Sequence, residues 1–296
     1  MIHIEVAGFG STVQDLGRPG HVREGVPVSG PADPVAFRAA QALVGNSSTD
    51  AAIEAVGLPF TFRCDSSRLV AVTGREVSVT VRDRLPGWTA VFVRAGDLVR
   101  VSGTERSRYT YIAVSGGVAS EAVLGSRAAY PRIGFGRALQ SGDALALGQP
   151  HGGPEDAGAS LHFIYGERAG ASAGPHVDRF DDAAIARFFS EPFTLSAQSD
   201  RQGARLDGVV VAPKGGELLS CGIVTGAVQV PRGGQPIVAL ADHGTTGGYP
   251  IIATVIGADI GQIAQRAPGE TLHFYRVERD AAHERSRVQH VSLFAS

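Results

Sequence analysis

The sequence predicts a mainly β protein with a few short helices. It contains 39 glycines and 16 prolines among 296 residues, which is a high density of turn residues. The apolar segments between them are short, and Val77, Val79 and Val81 alternate with polar residues as in a half-buried strand. Many short strands separated by turns are typical of barrels and sandwiches. The clearest segments are RLVAVTG, VSVTVRD, TAVFVRAGDLVRVSG, YTYIAVSGG, PIIATVIG and TLHFYRV.

Three segments carry a helical pattern. The best is DPVAFRAAQALVGN, in which Asp33 is placed to cap the helix, Pro34 occupies its first position and Gly45-Asn46 ends it. Residues 181–190 have apolar side chains on one face, and residues 259–265 form a shorter candidate. Helices are therefore expected to be a minor part of the fold.

The chain divides near its middle. Residues 148–160, GQPHGGPEDAGAS, lack bulky apolar side chains and are rich in glycine and proline, which is typical of a linker. We therefore predict one β-barrel subdomain over residues 1–150 and a second over residues 151–296. Motifs recur in the same order in both halves, as in LVAVTGREVSVTV and PIIATVIGADIGQIA. This order favours an internal duplication; chance similarity between two glycine-rich β chains is the alternative.

The overall composition excludes several classes of partner. A net charge of -2 with 19% charged residues offers no basic excess for nucleic acid and no acidic tail for a cationic partner. No apolar run approaches a membrane-spanning length, and the N-terminus lacks the pattern of a signal peptide. Cys64 and Cys221 are too few for a disulfide framework, so we expect free thiols in a reducing cytoplasm.

Several cofactor and catalytic motifs are missing from the sequence. It contains no G-x-x-x-x-G-K-S/T loop, no H-E-x-x-H and no G-x-S-x-G, and its nine histidines lack metal-ligand spacing. We therefore expect no metal site. Lys214 is the only lysine, and it has neither the Gly-Ser-rich setting of an amidase lysine nor the neighbouring methionines typical of a biotinylated one. The chain is predicted to carry no covalently bound cofactor.

The first candidate site is ADHGTTGGYP, which follows an apolar strand. A carboxylate and an imidazole at a strand end can exchange protons, and histidine titrates near neutral pH. The hydroxyls and successive glycine amides that follow can hold an anionic group. The alternative is an Asx-type turn in which the aspartate bonds local amides and the glycines supply positive φ. The predicted members are Asp242, His243, Thr245, Thr246, Gly247 and Gly248.

Arginines mark two further candidates. Arg201 and Arg205 lie four residues apart in SDRQGARLDG, and arginine forks bind carboxylate or phosphate. The alternative there is a solvated arginine pair beside neighbouring aspartates. Residues 12–34 place Asp15 and Arg18 in a Gly/Pro framework that suits the rim of a site or a latch between subunits. An Asp15–Arg18 pair inside a turn is the alternative for this segment.

These segments together resemble a known family. They follow the running pattern of the biotin-dependent carboxyltransferase A/B subdomain family, which includes the C component of 5-oxoprolinase, KipA-like proteins, allophanate hydrolase subunit 2 and a module of urea carboxylase. The resemblance implies two cyclophilin-like β-barrel subdomains, and Gln229 and Tyr249 within it are predicted to contact substrate. The segments that carry it are TVQDLGRPG, GVPVSGPADPVAFRAAQALVGN, SDRQGARL and GAVQVPRGGQPIVALADHGTTGGYP.

The resemblance also implies protein partners. The first is the C/D-type protein, called KipI-like, allophanate hydrolase subunit 1 or the B component of 5-oxoprolinase. In the 5-oxoprolinase branch a third, lactam-hydrolase protein joins, and the complex couples ATP hydrolysis to opening a cyclic lactam. In urea carboxylase-like members, biotin carried on another chain delivers CO2 to an amide nitrogen. In both reactions Asp242 or His243 would move a proton, while Arg201 or Arg205 would stabilise an oxyanion with the amides of residues 245–248.

Three functions are open from the sequence. The leading one is a subunit of an ATP-dependent 5-oxoprolinase-type hydrolase acting on a small cyclic amide. The others are a carboxyltransferase subunit and a non-enzymatic regulatory protein that binds a partner. Many relatives have glutamine directly before TTGGYP, where this chain has Gly244, so the resemblance leaves the substrate open. A protein that completes its site with a partner is expected to expose apolar surface.

Overall fold

The computed structural model describes residues 1–215 and 218–294, with side chains up to residue 288. It divides into two compact units. The first unit contains Met1–Arg18 and Ser29–Ile164, and the second contains Pro19–Val28 and the chain from Tyr165 onward. Both units consist mostly of short strands with few helices, which confirms the mainly β prediction.

The strands of the first unit form two antiparallel sheets around one apolar core. They are β1 (Ile2–Val6), β2 (Thr12–Gln14), β3 (Ala52–Ala55), β4 (Phe60–Cys64), β5 (Arg68–Thr73), β6 (Ser78–Thr80), β7 (Arg84–Pro86), β8 (Ala90–Val93), β9 (Leu98–Ser102), β10 (Thr110–Val114) and β11 (Ala144–Leu145). One sheet has the order β11-β1-β4-β9-β6-β7 and the other the order β2-β3-β10-β5-β8. Consecutive strands lie in different sheets at every step from β1 to β11 except β2 to β3 and β6 to β7. Both sheets therefore cover the same buried side chains.

The first unit differs from a closed barrel because its two sheets remain separate ladders in the part of the chain that the structure describes. The outermost strand β7 is exposed along its length. It ends at Pro86, whose nitrogen carries no hydrogen and cannot extend the ladder. The two sheets of the first unit are therefore held together by the apolar core packed between them.

A helix packs on β5 and β10 of the first unit. This helix, α1 (Pro34–Leu43), is capped as predicted by Asp33, whose Oδ1 accepts two backbone N–H groups of the first turn at 3.1 Å. The N–H of Asp33 donates to the Tyr111 hydroxyl at 2.7 Å, and that hydroxyl donates to Glu54 at 2.8 Å. Burial, followed by the Glu54 charge, raises the pKa of Tyr111 well above its ordinary value, which keeps its hydroxyl proton in place.

The second unit contains a closed barrel, as predicted. Its strands are β12 (Arg168–Ala173), β13 (Phe193–Leu195), β14 (Gly203–Gly208), β15 (Cys221–Gly222), β16 (Ala227–Gln229), β17 (Ile237–Ala239), β18 (Thr246–Gly247), β19 (Ile251–Val255) and β20 (Thr271–Arg276). The barrel order is β12-β19-β16-β17-β14-β13-β20. Its closing pair, β20 with β12, is parallel, and its other pairs are antiparallel. Strands β15 and β18 form a separate two-stranded ribbon.

Aromatic side chains dominate the core of the second unit. The predicted second helix, α2 (Asp182–Ser190), is capped by Asp181 and packs on β20. It buries Phe188, whose ring centroid lies 4.6 Å from that of Phe274 and 5.8 Å from that of Phe193. Burying several aromatic rings in contact is a large source of stability for so small a barrel.

Two further helices follow β19 in the second unit. The short helix α3 (Ile260–Ala264) lies within the third predicted helical segment. The last helix, α4 (Arg279–Phe294), was not predicted. The buried carboxylate of Asp259 accepts a hydrogen bond from Arg285 of α4 at 3.1 Å and another from the N–H of Gly170 at 2.7 Å. This carboxylate therefore ties α4 to the barrel.

The division into units differs from the predicted boundary at residue 150. Residues 151–164 belong to the first unit, where the chain runs beside the start of β8. The N–H of Gly158 donates to the Ala90 carbonyl, and the N–H of Leu161 donates to the Trp88 carbonyl, both at 2.9 Å. The segment predicted to be a linker is therefore held by backbone hydrogen bonds. The internal duplication stays a prediction.

Candidate functional site

The segment ADHGTTGGYP follows β17 in the second unit, as the apolar residues before it predicted. The N–H of Leu240 donates to the Gln202 carbonyl at 3.1 Å, and the N–H of Asp242 donates to the Arg201 carbonyl at 2.9 Å. The chain then turns, with the N–H of His243 donating to the Leu240 carbonyl at 3.0 Å. Backbone hydrogen bonds thus place the segment that contains Arg201 beside the segment that contains Asp242.

Arg201 and Asp242 form a bidentate ion pair at this point. Arg201 Nε lies 2.7 Å from Asp242 Oδ2, and Nη2 lies 3.1 Å from Oδ1. The side chains are only 18% and 6% exposed. Two parallel charge-assisted hydrogen bonds fix the plane of the guanidinium, and limited solvent keeps them strong. Because both oxygens of Asp242 face Arg201, the carboxylate is suited to orienting the arginine rather than to taking a proton from a substrate.

His243 is better placed to move a proton. Its Nδ1 lies 2.7 Å from the carbonyl oxygen of Gly244. A carbonyl oxygen only accepts hydrogen bonds, so this contact places the ring proton on Nδ1 and leaves Nε2 with the lone pair. The side chain is half-buried at the turn, next in sequence to the Arg201–Asp242 pair. Its neutral form can therefore act as a base through Nε2.

The β15–β18 ribbon forms a wall beside this turn. Cys221 pairs with Gly247 and Gly222 with Thr246, and the N–H of Ile223 donates to the Thr245 carbonyl at 3.1 Å. Thr246 and Gly247 are thus paired in a β-ladder, although the sequence predicted a loop there. Fewer backbone N–H groups are therefore available to bind an anion than the sequence predicted.

Gly247 is closely approached by two side chains. A Cβ there would lie 2.6 Å from Ile223 Cδ1 and 2.7 Å from Gln229 Nε2. The Gln229 side-chain amide on β16 therefore lies directly over the ribbon, near the predicted substrate-binding residues. A side chain at position 247 would push aside the ends of the Ile223 and Gln229 side chains.

The other predicted residues of the second unit have less constrained positions. Arg205 lies on β14, and its side chain is exposed. Gly248 passes close to residue 218, since a Cβ on it would lie 3.3 Å from the Leu218 carbonyl oxygen. Tyr249 is 50% exposed, and nearby segments also carry the exposed side chains of Leu219 and Val224. These three exposed side chains are apolar or aromatic, and the expected partner surface stays a prediction.

Asp15 and Arg18 belong to the first unit. Asp15 is buried and accepts hydrogen bonds from the N–H of Gly17 at 2.8 Å, the hydroxyl of Ser126 at 2.5 Å and the N–H of Arg127 at 2.6 Å. Asp15 therefore holds a distant loop in place, and its role in a reaction stays a prediction.

Sequence reasoning missed Cys221 and Ile223 as parts of this region. Both lie just before GAVQVPRGGQPIVALADHGTTGGYP, outside the segments that the sequence singled out as candidate sites. Their pairing with residues 245–247 depends on a ladder of two-residue strands, which is too short to give an alternating pattern.

The two cysteines provide a direct check of this arrangement. Burial raises the pKa of the Cys64 thiol to about 11, so that it stays protonated at pH 8, whereas the half-buried Cys221 lies on the ribbon. We expect iodoacetamide at pH 8 to alkylate Cys221 in the folded chain and to alkylate Cys64 only after unfolding, because the thiolate is the reactive form. Peptide mass spectrometry measures both sites in one sample. Equal labelling of the two thiols in the folded chain would contradict the burial of Cys64 described here.

Over the described ranges, no three or more His, Cys, Asp and Glu side chains are grouped so as to hold a metal ion. Nor do the helices seen in those ranges include one of the length and apolar character needed to cross a membrane.

Comparison with known proteins decides the family. A family model described as "Carboxyltransferase domain, subdomain A and B" matches residues 24–276. The chain belongs to this family. The match confirms the carboxyltransferase A/B resemblance drawn from the sequence motifs and covers residues of both units.

Members of the carboxyltransferase A/B family similar to this chain differ in length. The C component of 5-oxoprolinase from Escherichia coli (strain K12) is 35% identical, and the match covers 95% of this chain and 93% of the relative. The urea amidolyase of Saccharomyces cerevisiae is 28% identical over 99% of this chain, which spans 17% of that protein. The crystal structure of the Kluyveromyces lactis urea carboxylase is similar with a TM-score of 0.86 at 27% identity, covering 99% of this chain and 29% of that one.

Proposed function

We propose that this chain is a subunit of a heteromeric, ATP-dependent hydrolase of the 5-oxoprolinase type that acts on a small amide or lactam. The observation that carries the proposal is the match to the C component of the Escherichia coli 5-oxoprolinase, which extends over 95% of this chain and 93% of the relative. A match along almost the whole of both chains supports a shared role better than a match to a module of a longer protein. The complex is proposed to be cytoplasmic.

The site proposed for this reaction lies at the end of β17. Opening a lactam requires a donor for the oxyanion that develops on the carbonyl and a group that moves a proton. Arg201, held in plane by Asp242, supports the first role, and His243 Nε2 supports the second. The amide of Gln229 lies against Gly247 of the ribbon, and we propose that it orients a planar amide substrate.

The remaining components are proposed to come from other chains. A C/D-type protein completes the site, and a third, lactam-hydrolase protein joins the complex. ATP is used by the complex as a whole. The exposed side chains of Leu219, Val224 and Tyr249 beside the site support a protein neighbour there, since grouped apolar side chains favour burial.

A carboxyltransferase reaction is the second candidate. It is favoured by the similarity to the Kluyveromyces lactis urea carboxylase, with its TM-score of 0.86. Biotin would then be carried on another chain, because Lys214 lies in an APKGGE context without neighbouring methionine. Arg201 and His243 would keep the roles of stabilising negative charge and moving a proton.

One reconstitution experiment separates these candidates. The chain is co-purified with its C/D-type partner and the lactam-hydrolase protein, and ATP turnover is measured alone and with 5-oxoproline, urea or allophanate. We expect 5-oxoproline alone to stimulate turnover. Stimulation only by urea together with a biotin carrier would favour the carboxyltransferase. Stable co-purification without stimulation by any of the three compounds would contradict an enzymatic role and favour a regulatory one.

A further inference from the structure

Strand β19 carries a β-bulge in the part of the barrel that lies beside the ribbon. Its ladder with β16 pairs Val228 with Ala253 and then Gln229 with Ile251, so that Ile252 is an extra residue. An extra residue in one strand of an antiparallel pair interrupts the regular alternation of its side chains. The bulge therefore decides which face of the barrel the residues before Ala253 present.

The contacts of these side chains show the interruption. Ile252 and Ala253 both belong to the barrel core, although they are adjacent in sequence. Ile251 instead packs in a separate apolar cluster with Ile223, next to the ribbon. Regular alternation from Ala253 would have placed Ile251 in the core and Ile252 outside it. The bulge is thus the reason that Ile251 packs beside the ribbon.

The same arrangement determines where Gln229 projects. Gln229 and Ile251 are partners in the ladder, and residues directly opposite each other project to the same face of a sheet. Val228 and Val230, on either side of Gln229, lie in the barrel core, so Gln229 projects outward. A Cβ on Gly247 would lie 2.7 Å from Gln229 Nε2. The register set by the bulge therefore places this amide against the ribbon.

His176 holds the bulge from the side opposite β16. The N–H of Val230 donates to the Pro250 carbonyl at 2.9 Å. In an antiparallel ladder this bond leaves Gln229 and Ile251 as a pair without hydrogen bonds between them, so the Ile251 N–H faces away from β16. That N–H donates to His176 Nδ1 at 3.2 Å, and the N–H of His176 donates to the Ile251 carbonyl at 3.2 Å. His176 thus supplies both an acceptor and a donor to Ile251.

The acceptor role of His176 is specific to one ring nitrogen. A backbone N–H only donates, so Nδ1 carries the lone pair and the proton of the neutral ring is on Nε2. Ile251 is 4% exposed, so removing this acceptor leaves an N–H of a buried residue without its partner, which is costly. The side-chain oxygen of asparagine lies as many bonds from the backbone as Nδ1 and can replace it, whereas leucine cannot.

We propose that His176 is a positioning residue for substrate binding. By accepting the Ile251 N–H, it holds the β19 bulge in register and so keeps the Gln229 amide in place. His176 does not touch the substrate; it acts through Ile251 and Gln229. That the Gln229 amide orients a planar amide substrate rests on the function proposed above.

Hydrogen exchange tests the positioning step without any turnover. The isolated full-length chain is prepared with ¹⁵N-labelled isoleucine, and exchange is followed by NMR in wild type, His176→Leu and His176→Asn. We expect the Ile251 amide to exchange about tenfold faster in His176→Leu and at the wild-type rate in His176→Asn. The Ile185 amide, which donates to the Asp181 carbonyl at 3.0 Å in α2, reports whether the second unit is folded. Equal Ile251 exchange in all three chains, or equally fast exchange in both variants, would overturn the proposal.

Steady-state kinetics of the reconstituted complex test the effect on substrate. We expect His176→Leu to raise KM for 5-oxoproline about two- to tenfold with kcat nearly unchanged, and His176→Asn to restore KM. Gln229→Leu should raise KM as much, and the His176→Leu/Gln229→Leu double variant no further, since the two residues act as one unit. The matched control is His283→Leu, the same change at an exposed histidine of α4, and it should keep the wild-type KM.

The two measurements separate this inference from the proposed function. A wild-type complex that 5-oxoproline does not stimulate contradicts the proposed function, and the exchange comparison then decides the inference by itself. With a stimulated wild-type complex, an unchanged KM in a folded His176→Leu chain would overturn the inference. Additive increases of KM in the double variant would overturn it as well.

Discussion

The Asp242→Ala variant is expected to lower kcat/KM of the reconstituted complex by about 100-fold or more. Asp242 holds the Arg201 guanidinium through two hydrogen bonds of 2.7 and 3.1 Å, and the pair is largely shielded from solvent. Without the carboxylate, the arginine can rotate away from the position in which it stabilises an oxyanion, and misplacement of about 1 Å can cost this much in rate. The variant is compared with wild type by steady-state ATP turnover in the presence of 5-oxoproline.

Two comparisons distinguish positioning from general destabilisation. Arg201→Ala and the Arg201→Ala/Asp242→Ala double variant should be about as slow as Asp242→Ala, because residues that act as one unit are non-additive. Asp207→Ala removes an exposed carboxylate from the neighbouring strand β14 and should retain wild-type activity. A folded Asp242→Ala complex with wild-type kcat/KM would exclude the pair from the site.

His243→Asn is expected to lower kcat by about 100-fold to 10,000-fold, the range for loss of a general acid or base. The Nδ1 contact with the Gly244 carbonyl leaves Nε2 as the basic atom, and asparagine can keep that contact without replacing the base. Steady-state ATP turnover in the presence of 5-oxoproline, compared between the wild-type and variant complexes, measures this loss.

The exposed His283 on α4 supplies the matched control for this variant. His283→Asn makes the same chemical change and should leave the rate unaltered. If His243→Asn keeps the wild-type rate, another group moves the proton, and the assignment of Nε2 as the base is wrong.

Local signals account for much of the fold that the sequence predicted. Alternating valines and abundant turn residues indicated the strands, and Asp33 with Pro34 located the start of α1 within one residue. These features act over a few residues, so they can be recognised without knowing the tertiary structure. The strand end before Asp242 was recognised for the same reason.

Other features depend on contacts that no short segment contains. Backbone hydrogen bonds between residues 158–161 and the start of β8 place a glycine-rich segment in the first unit. The helix α4 lacks a clear apolar face, although its alanine, glutamate and arginine residues are good helix formers, and it is tied down through Asp259. Its composition was the signal that could have revealed it.

The same distinction applies to the candidate site. The motif around Asp242 could be quoted from the sequence, but its bidentate pairing with Arg201, 41 residues away, could not. Arg201 and Arg205 looked equivalent, yet only Arg201 is turned toward the carboxylate, since β14 leaves the Arg205 side chain exposed. The hydrogen bond from Ser126 to Asp15 joins residues 111 positions apart, so the sequence could not predict it either.

The most direct test of the proposed role is a titration of the C/D-type and lactam-hydrolase proteins with this chain, monitored by 5-oxoproline-stimulated ATP hydrolysis. We expect no stimulated turnover from any chain alone, a plateau at stoichiometric wild-type chain, and baseline turnover with a His243→Asn chain that still co-purifies. Equal plateaus for the two chains, or full turnover without this chain, would contradict that role.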